Sequence, residues 1–412
     1  MVTGTMIIAA IVLPGNAVIT VTGSYHQRHR FRPRRGGVAM FRRAVLLAIV
    51  LALMGFSPPA QAAGLQEVTG FGSNPGNLRM FRYAPDGLPA GRPVVVALHG
   101  CTQNATGYAT GTGWMKLADQ WRVAVVFPQQ SSANNANSCF NWFEPADTRR
   151  GSGEALSVKQ MVDRTKADLG SSSAYVTGLS AGGAMTAVML AAYPDVFAGG
   201  GIVAGLPYGC ATSTVTAFSC MNPGTDLTPA QWGDKVRAAA DHSGTHPLVS
   251  IWHGTADTTV APRNATELVE QWTDVAGTDQ TPDVSDTVAG QRHRVYGGKV
   301  EYYEISGMGH GQPVDPGTGT TQCGTAGAYL LDVNICAAYY MGRFWGIADD
   351  SSGPGTPTYS DTAVGTATDH YVAGRVDVTE YNALGARYGY TAPITLYLCG
   401  ANWTDKPDCA PI

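Results

Sequence analysis

Charge is scarce in this chain. Only 14% of its 412 residues are Asp, Glu, Lys or Arg, against 44% hydrophobic, a balance that excludes a disordered polymer and supplies material for one large core. It also lacks charged low-complexity tracts, a Gly-x-y period and internal repeats, which removes fibrous and coiled-coil readings. No apolar run reaches the roughly 20 residues that a membrane-spanning helix requires. Acidic residues are missing from the first 62 positions, which hold seven Arg. The remainder therefore carries 20 basic against 31 acidic residues, a balance of −11 within a formal total of −4. Nucleic acid is not an expected partner for such a surface. Metal-ligand spacings are missing too: there is no CxxC. The close pair His242 and His246 flanks Ser243-Gly244 with no thiolate or Glu beside it, which reads as a loop. No metal and no cofactor are expected.

The missing acids are explained by an export signal. Met40-Phe41-Arg42-Arg43 precedes an apolar stretch from Ala44 to Phe56, and Ser57-Pro58-Pro59-Ala60-Gln61-Ala62 follows it. Basic start, short apolar middle and small-x-small end are the grammar of a signal peptide. The expectation is a signal region over 1–62, with Met40 as the true start, and a secreted, extracellular protein beginning near Ala63 with no stable membrane insertion after signal removal. Export bears on the cysteines, because thiols oxidise outside the cytoplasm. All eight lie after the signal and form four sequence-local couples: Cys101 with Cys139, Cys210 with Cys220, Cys323 with Cys336, and Cys399 with Cys409. Together they make the expected connectivity, one of the 105 that eight cysteines allow.

Short runs that are apolar throughout, such as Val94 to Leu98, Val123 to Phe127, Ala174 to Thr177, Leu248 to Trp252 and Val300 to Ile305, suit strands buried on both faces. Helical stretches alternate with them, including Ser157 to Leu169 and Ala181 to Tyr193, the latter stopped by Pro194. This is an α/β layout with a mostly parallel sheet. A last helix is expected after Asp332, with Val333, Cys336, Ala337, Tyr340 and Phe344 along one face, closing a main domain over 63–348. The Gly/Pro/Ser/Thr-rich residues 349–368 read as a linker. Residues 369–412 form a small aromatic-rich module with Tyr371, Tyr381, Tyr388, Tyr390, Tyr397 and Trp403, stapled by Cys399 and Cys409.

Chemistry concentrates at Gly178-Leu179-Ser180-Ala181-Gly182, a G-x-S-x-G between a strand and a helix. Strand, turn and helix are the frame this motif needs, because the sharp turn lifts the Ser oxygen out of the sheet. A serine hydroxyl needs a base oriented by a carboxylate, and the order Ser, acid, His is available. Asp257 follows the strand Leu248 to Trp252, and His310 follows the strand ending at Ile305, so all three sit at the sheet's carboxyl edge, where open α/β sheets collect their ligands. His253 is a rival base, but it precedes the acid and follows its strand directly. For the oxyanion, the Ala181 N–H comes after the nucleophile and the Cys101 N–H lies in the loop His99-Gly100-Cys101 after an early strand. His99 is expected to brace that loop. Trp142 is a candidate apolar wall for the acyl chain, with buried packing as the equal alternative. Glu154, after Gly151-Ser152-Gly153, suits the positive end of a helix and is given no catalytic role.

The stretches VVVALHGCTQNA, CFNWFEPADTRRGSGEALSVKQMV, YVTGLSAGGAMTAVMLAAYPDVFAGG, WHGTADTTVAPRN and GMGHGQPVD lie within the region from Val94 to Trp345. In these the chain resembles the polyhydroxybutyrate depolymerase family of esterases, which also contains feruloyl and acetylxylan esterases. The resemblance implies an α/β-hydrolase fold, secretion, Ser180 as nucleophile, Asp257 and His310 as acid partner and base, and the His-Gly-Cys loop as oxyanion site. The tail HYVAGRVDVTEYNALGARYGYTAPITLYLCGANW is similar to C-terminal segments of bacterial extracellular depolymerases, although shorter than the linker and substrate-binding arrangement of many of them. The expected activity is hydrolysis of a short-chain polyhydroxyalkanoate such as poly(3-hydroxybutyrate) through an acyl-enzyme. A feruloyl or acetylxylan esterase acting on acylated polysaccharide is the alternative within this chemistry. A catalytically inactive secreted binding protein is the alternative outside it, and its usual sign, a missing triad member, is not present.

Overall fold

The computed structural model describes residues 6–12, 18–23, 64–348, 359–399 and 402–405. It divides into two units, Met1–Gln61 and Ala62–Ile412. In the first, β1 (Met6–Val12) pairs antiparallel with β2 (Val18–Gly23). The expected signal segment from Met40 to Ala62 lies outside the described residues.

The second unit is built on a ten-stranded sheet. Its strands are β3 (Gln66–Val68), β4 (Arg79–Tyr83), β5 (Val94–Leu98), β6 (Ala124–Gln129), β7 (Ala174–Leu179), β8 (Phe197–Val203), β9 (Leu248–Gly254), β10 (Val284–Val288), β11 (Gln291–Tyr296) and β12 (Val300–Ile305). Across the sheet they run β10-β11-β12-β9-β8-β7-β5-β6-β4-β3. The central six, from β12 to β6, are parallel, and antiparallel pairs flank them on both sides. The expected α/β class with a mostly parallel sheet is therefore the observed one.

Helices cover both faces, which is why the central strands read as unbroken apolar runs. Successive side chains of a strand face opposite ways. In β5, Val94, Val96 and Leu98 join the apolar cluster of one face, and Val95 and Ala97 that of the other. The first cluster is closed by α4 (Gly153–Leu169), α5 (Ala181–Ala192) and α8 (Arg263–Ala276). The second is closed by α1 (Ala105–Gly111), α2 (Trp114–Trp121) and α9 (Ala337–Phe344). Between these elements lie α3 (Pro145–Thr148), α6 (Thr214–Met221) and α7 (Pro229–Arg237). A parallel pair, β13 (Gln312–Val314) with β14 (Leu330–Asp332), precedes α9.

Three differences from the sequence expectation have local causes. Strand β8 carries Gly199-Gly200-Gly201, which hides its strand character. Those glycines are required by close approach: a Cβ on Gly201 would lie 2.4 Å from Met341 Sδ, and one on Gly200 2.6 Å from Leu190 Cδ1. The last helix begins at Ala337, not soon after Asp332, because Leu330–Asp332 is spent on β14 and Cys336 caps the helix. Finally, the stretch expected as a linker over 349–368 contains β15 (Tyr359–Gly365), paired antiparallel with β16 (Ile394–Cys399), which in turn pairs with β17 (Asn402–Thr404). Cross-strand pairing makes this polar segment a strand, a signal that composition does not carry. Thr366 then caps α10 (Ala367–Val372), and α11 (Val378–Tyr388) follows. Ala367, Val376, Leu384, Ile394 and Leu396 form an apolar cluster of their own.

Disulfides join Cys101 to Cys139, Cys210 to Cys220 and Cys323 to Cys336. The pair Cys399 and Cys409 lies outside the described residues, since Cys409 is not among them.

Candidate active site

Because β5, β7, β9 and β12 run parallel, their C-termini open onto one edge of the sheet. Each delivers one part of the site. At the end of β7, Ser180 adopts φ 59° and ψ −118° before α5 begins at Ala181. That conformation is costly for a non-glycine residue, and it is held by the Ser180 N–H donating to Val203 O at 2.9 Å. The turn is possible only with bare backbone around it: a Cβ on Gly182 would stand 2.2 Å from Leu98 O and 2.6 Å from His99 O. The start of α5 and the loop after β5 are thereby pressed together.

Asp257 follows β9, and its side chain is fully buried. Its Oδ1 accepts the amides of Thr259 and Val260, both at 2.9 Å. Oδ2 stands 2.7 Å from His310 Nδ1, and His310 Nε2 stands 2.9 Å from Ser180 Oγ. Burial pushes the Asp257 carboxyl up, but hydrogen bonds from His253, His310 and the Val260 amide outweigh it and hold the group well below the usual carboxylate range. An ionised carboxylate only accepts. His310 therefore donates from Nδ1, which in the neutral imidazole leaves Nε2 as the acceptor facing the Ser180 hydroxyl. The three residues singled out from the sequence form one continuous hydrogen-bonded chain. The rival, His253, points into the core at 1% exposure.

The loop after β5 is tied down by His99. This ring is buried, and burial pushes it down to about 4, so it is neutral. Its Nδ1 lies 2.7 Å from Gly100 O, and its Nε2 accepts the Gln130 amide at 3.1 Å. Gly100 O also accepts the Gln103 amide at 3.3 Å. Carbonyl and N–H of a trans peptide point in opposite directions, so fixing Gly100 O fixes the Cys101 N–H the other way. That amide has no hydrogen-bond partner among the described residues. Thr102 N–H donates to Asn137 O at 2.7 Å, and the Cys101–Cys139 bridge joins the same two segments.

Glu154 takes a part that the sequence did not suggest. It is fully buried, accepts the Asn141 amide at 2.8 Å and the Gln130 side-chain amide, and so clamps the segment carrying Trp142 to the partner of His99. Burial pushes it up to about 8 against those donors. Its helix-terminal position was legible, but its two partners lie 24 and 13 residues away and carry no sequence signal.

A cavity of about 350 Å³ opens over Ser180 and His310. Gly100 and Cys101 line one side of it. Trp142, Phe143, Leu179, Ala217, Phe218 and Met221 give it apolar walls. Trp142 is at once wall and packing: it is 8% exposed and meets Phe143 edge-on at 5.4 Å. The α6 wall was missed, because nothing in the sequence brings residues 214–221 to Ser180. Tyr329, also in the lining, meets His310 edge-on at 6.2 Å. His242 and His246 stand 5.4 Å apart by ring centroids, and no cluster of three or more His, Cys, Asp or Glu suited to a metal occurs among the described residues.

Residues 79–293 match the family model described as Esterase PHB depolymerase. Poly(3-hydroxyalkanoate) depolymerase C of Paucimonas lemoignei is 53% identical, over 90% of this chain and 97% of its own. Feruloyl esterase B of Neurospora crassa is 37% identical over 61% of this chain and 90% of its own. Among solved structures, the acetyl xylan esterase from Aspergillus awamori aligns with a TM-score of 0.60 at 28% identity, over 69% of this chain and all of that one. A family match over residues 79–293 together with 53% identity along 90% of the chain leaves one assignment: the chain belongs to the Esterase PHB depolymerase family and is a carboxylic ester hydrolase.

Proposed function

We propose that the protein is a secreted depolymerase that hydrolyses the ester bonds of a short-chain poly(3-hydroxyalkanoate), such as poly(3-hydroxybutyrate), with Ser180, His310 and Asp257 as its triad. The observation that carries the substrate class is the 53% identity to a poly(3-hydroxyalkanoate) depolymerase along 97% of that protein. The cavity supports it, since apolar walls suit an aliphatic acyl chain and no Asp, Glu, Lys or Arg is in its lining among the described residues.

In this reading His310 Nε2 takes the hydroxyl proton as Ser180 Oγ attacks the ester carbonyl. The Ala181 and Cys101 amides receive the charge that develops on the carbonyl oxygen. The tetrahedral intermediate then breaks its bond to the alcohol oxygen, to which His310 returns the proton, and an acyl-Ser180 ester remains. Water attacks that ester with His310 again as base, and the acid leaves as Ser180 regains its proton. Asp257 holds the imidazole in the required tautomer throughout. Trp142 forms part of the acyl wall. Export rests on the signal grammar of residues 40–62, and among the described residues no helix is long and apolar enough to cross a membrane.

The second reading, removal of feruloyl or acetyl groups from polysaccharide, is favoured by the feruloyl and acetyl xylan esterase relatives. Incubating purified protein in parallel with a polyhydroxybutyrate film and with feruloylated, acetylated xylan separates the two. Release of 3-hydroxybutyrate or its short oligomers with thinning of the film is expected. Release of ferulate or acetate from an enzyme that leaves the film intact contradicts the proposal.

A further inference from the structure

We infer that His253 is a positioning residue of the hydrolytic site, which holds the Asp257 carboxylate from within the core while His310 engages it from the cavity. This rests on the triad reading above. His253 is the penultimate residue of β9, and Trp252 before it packs into the opposite apolar cluster, so alternation turns the His253 ring toward Asp257 and Val260. The ring is 1% exposed. Its Nε2 lies 2.9 Å from Val260 O. A carbonyl only accepts, so this nitrogen carries the proton.

The same N–H stands 3.5 Å from Asp257 Oδ2, the oxygen that His310 Nδ1 approaches to 2.7 Å. The residue that His253 anchors, Val260, donates its own amide to Asp257 Oδ1 at 2.9 Å. His253 thus reaches the carboxylate twice, directly at Oδ2 and through Val260 at Oδ1. Its other nitrogen, Nδ1, is buried with no partner among the described residues. A buried polar atom left unpaired is unfavourable, and an apolar side chain would fill the same space without that cost. The worth of the imidazole here lies in its Nε2–H.

His253 and His310 are the titratable groups set against Asp257, and no Lys or Arg among the described residues pairs with it. Removing the His253 donor leaves Oδ2 with one fewer stabilising partner. The proton affinity of the Asp257–His310 pair then rises, and the carboxylate is freer to rotate away from His310.

The test compares His253→Gln, which keeps an N–H near the position of Nε2, with His253→Met, which has similar length and no donor. Hydrolysis of a soluble p-nitrophenyl ester is followed across the pH range beside Ser180→Ala. The Met variant should lower kcat about tenfold with KM changed less than about twofold. It should also move the acid limb of kcat/KM upward by about half a pH unit. The Gln variant should restore both. Should the Met variant fail to fold, the Gln variant alone must keep the wild-type limb and kcat within about twofold. An unmoved acid limb in a folded Met variant, or a Gln variant no better than Met, overturns the inference and leaves the triad standing. Substantial activity in Ser180→Ala would instead overturn the triad reading itself.

Discussion

Asp257→Asn changes one atom and should nearly abolish turnover. The carboxylate accepts the Thr259 and Val260 amides on Oδ1, at 2.9 Å each, and faces His310 Nδ1 across 2.7 Å at Oδ2. An asparagine has one acceptor oxygen and one donor nitrogen. Two fixed backbone N–H groups converge on Oδ1, so the amide oxygen must occupy that place and the NH₂ group must face His310. Nδ1 is then obliged to accept, and the imidazole proton moves to Nε2. That nitrogen, 2.9 Å from Ser180 Oγ, becomes a donor and cannot take the serine proton. The expected loss in kcat is about 10⁴-fold, the scale on which a wrong imidazole tautomer acts in serine hydrolases. The fold should persist, because the turn formed by residues 257–260 keeps both of its hydrogen bonds to Oδ1. Steady-state hydrolysis of a p-nitrophenyl ester, with a thermal melt as control, reads both quantities. A well-folded variant within tenfold of wild-type kcat would refute the claim that this carboxylate sets the tautomer of His310.

Other predictions follow from neighbouring parts of the site. Reducing Cys101–Cys139 should depress hydrolysis more than far-ultraviolet circular dichroism, since the bridge holds the loop proposed to receive the oxyanion to the Trp142 segment; parallel loss of both signals would contradict this. Glu154, pushed up to about 8 in the fold, keeps a proton that the unfolded chain releases near about 4.3. Native protein therefore binds more protons between those values, and its stability falls as pH rises through them. Glu154→Gln should flatten that slope in denaturant titrations at several pH values, and an unchanged slope would argue that the carboxyl titrates normally. Deleting residues 349–412, which carry an apolar cluster of their own, should spare soluble-ester hydrolysis and weaken adsorption to a polyester film; equal film erosion with and without them would dismiss a binding role.

The sheet edge was legible in the sequence because buried parallel strands leave a strong local mark. Val94–Leu98 and Val300–Ile305 appear as strands with the expected bounds, and the turns after the strands carry the residues of the site. What stayed hidden depends on distant neighbours. Gly199-Gly200-Gly201 carries no strand signal of its own, and its glycines make sense only once Leu190, Met341 and Trp345 fill the space where side chains would stand. Thr214–Met221 becomes a cavity wall only through the fold. Glu154 and His253 look like a helix-start acid and a spare base, and their meaning comes from Gln130, Asn141, Val260 and Asp257, which the folded chain places around them.

The central claim is that Ser180 forms the covalent intermediate. Treating the protein with an alkyl phosphonate ester that captures nucleophilic serines, then digesting it and locating the added mass, tests this most directly. One label per chain on Ser180, absent from Ser180→Ala and accompanied by complete loss of esterase activity, is the predicted result. Labelling at another residue, or full activity after Ser180 is blocked, would contradict the account.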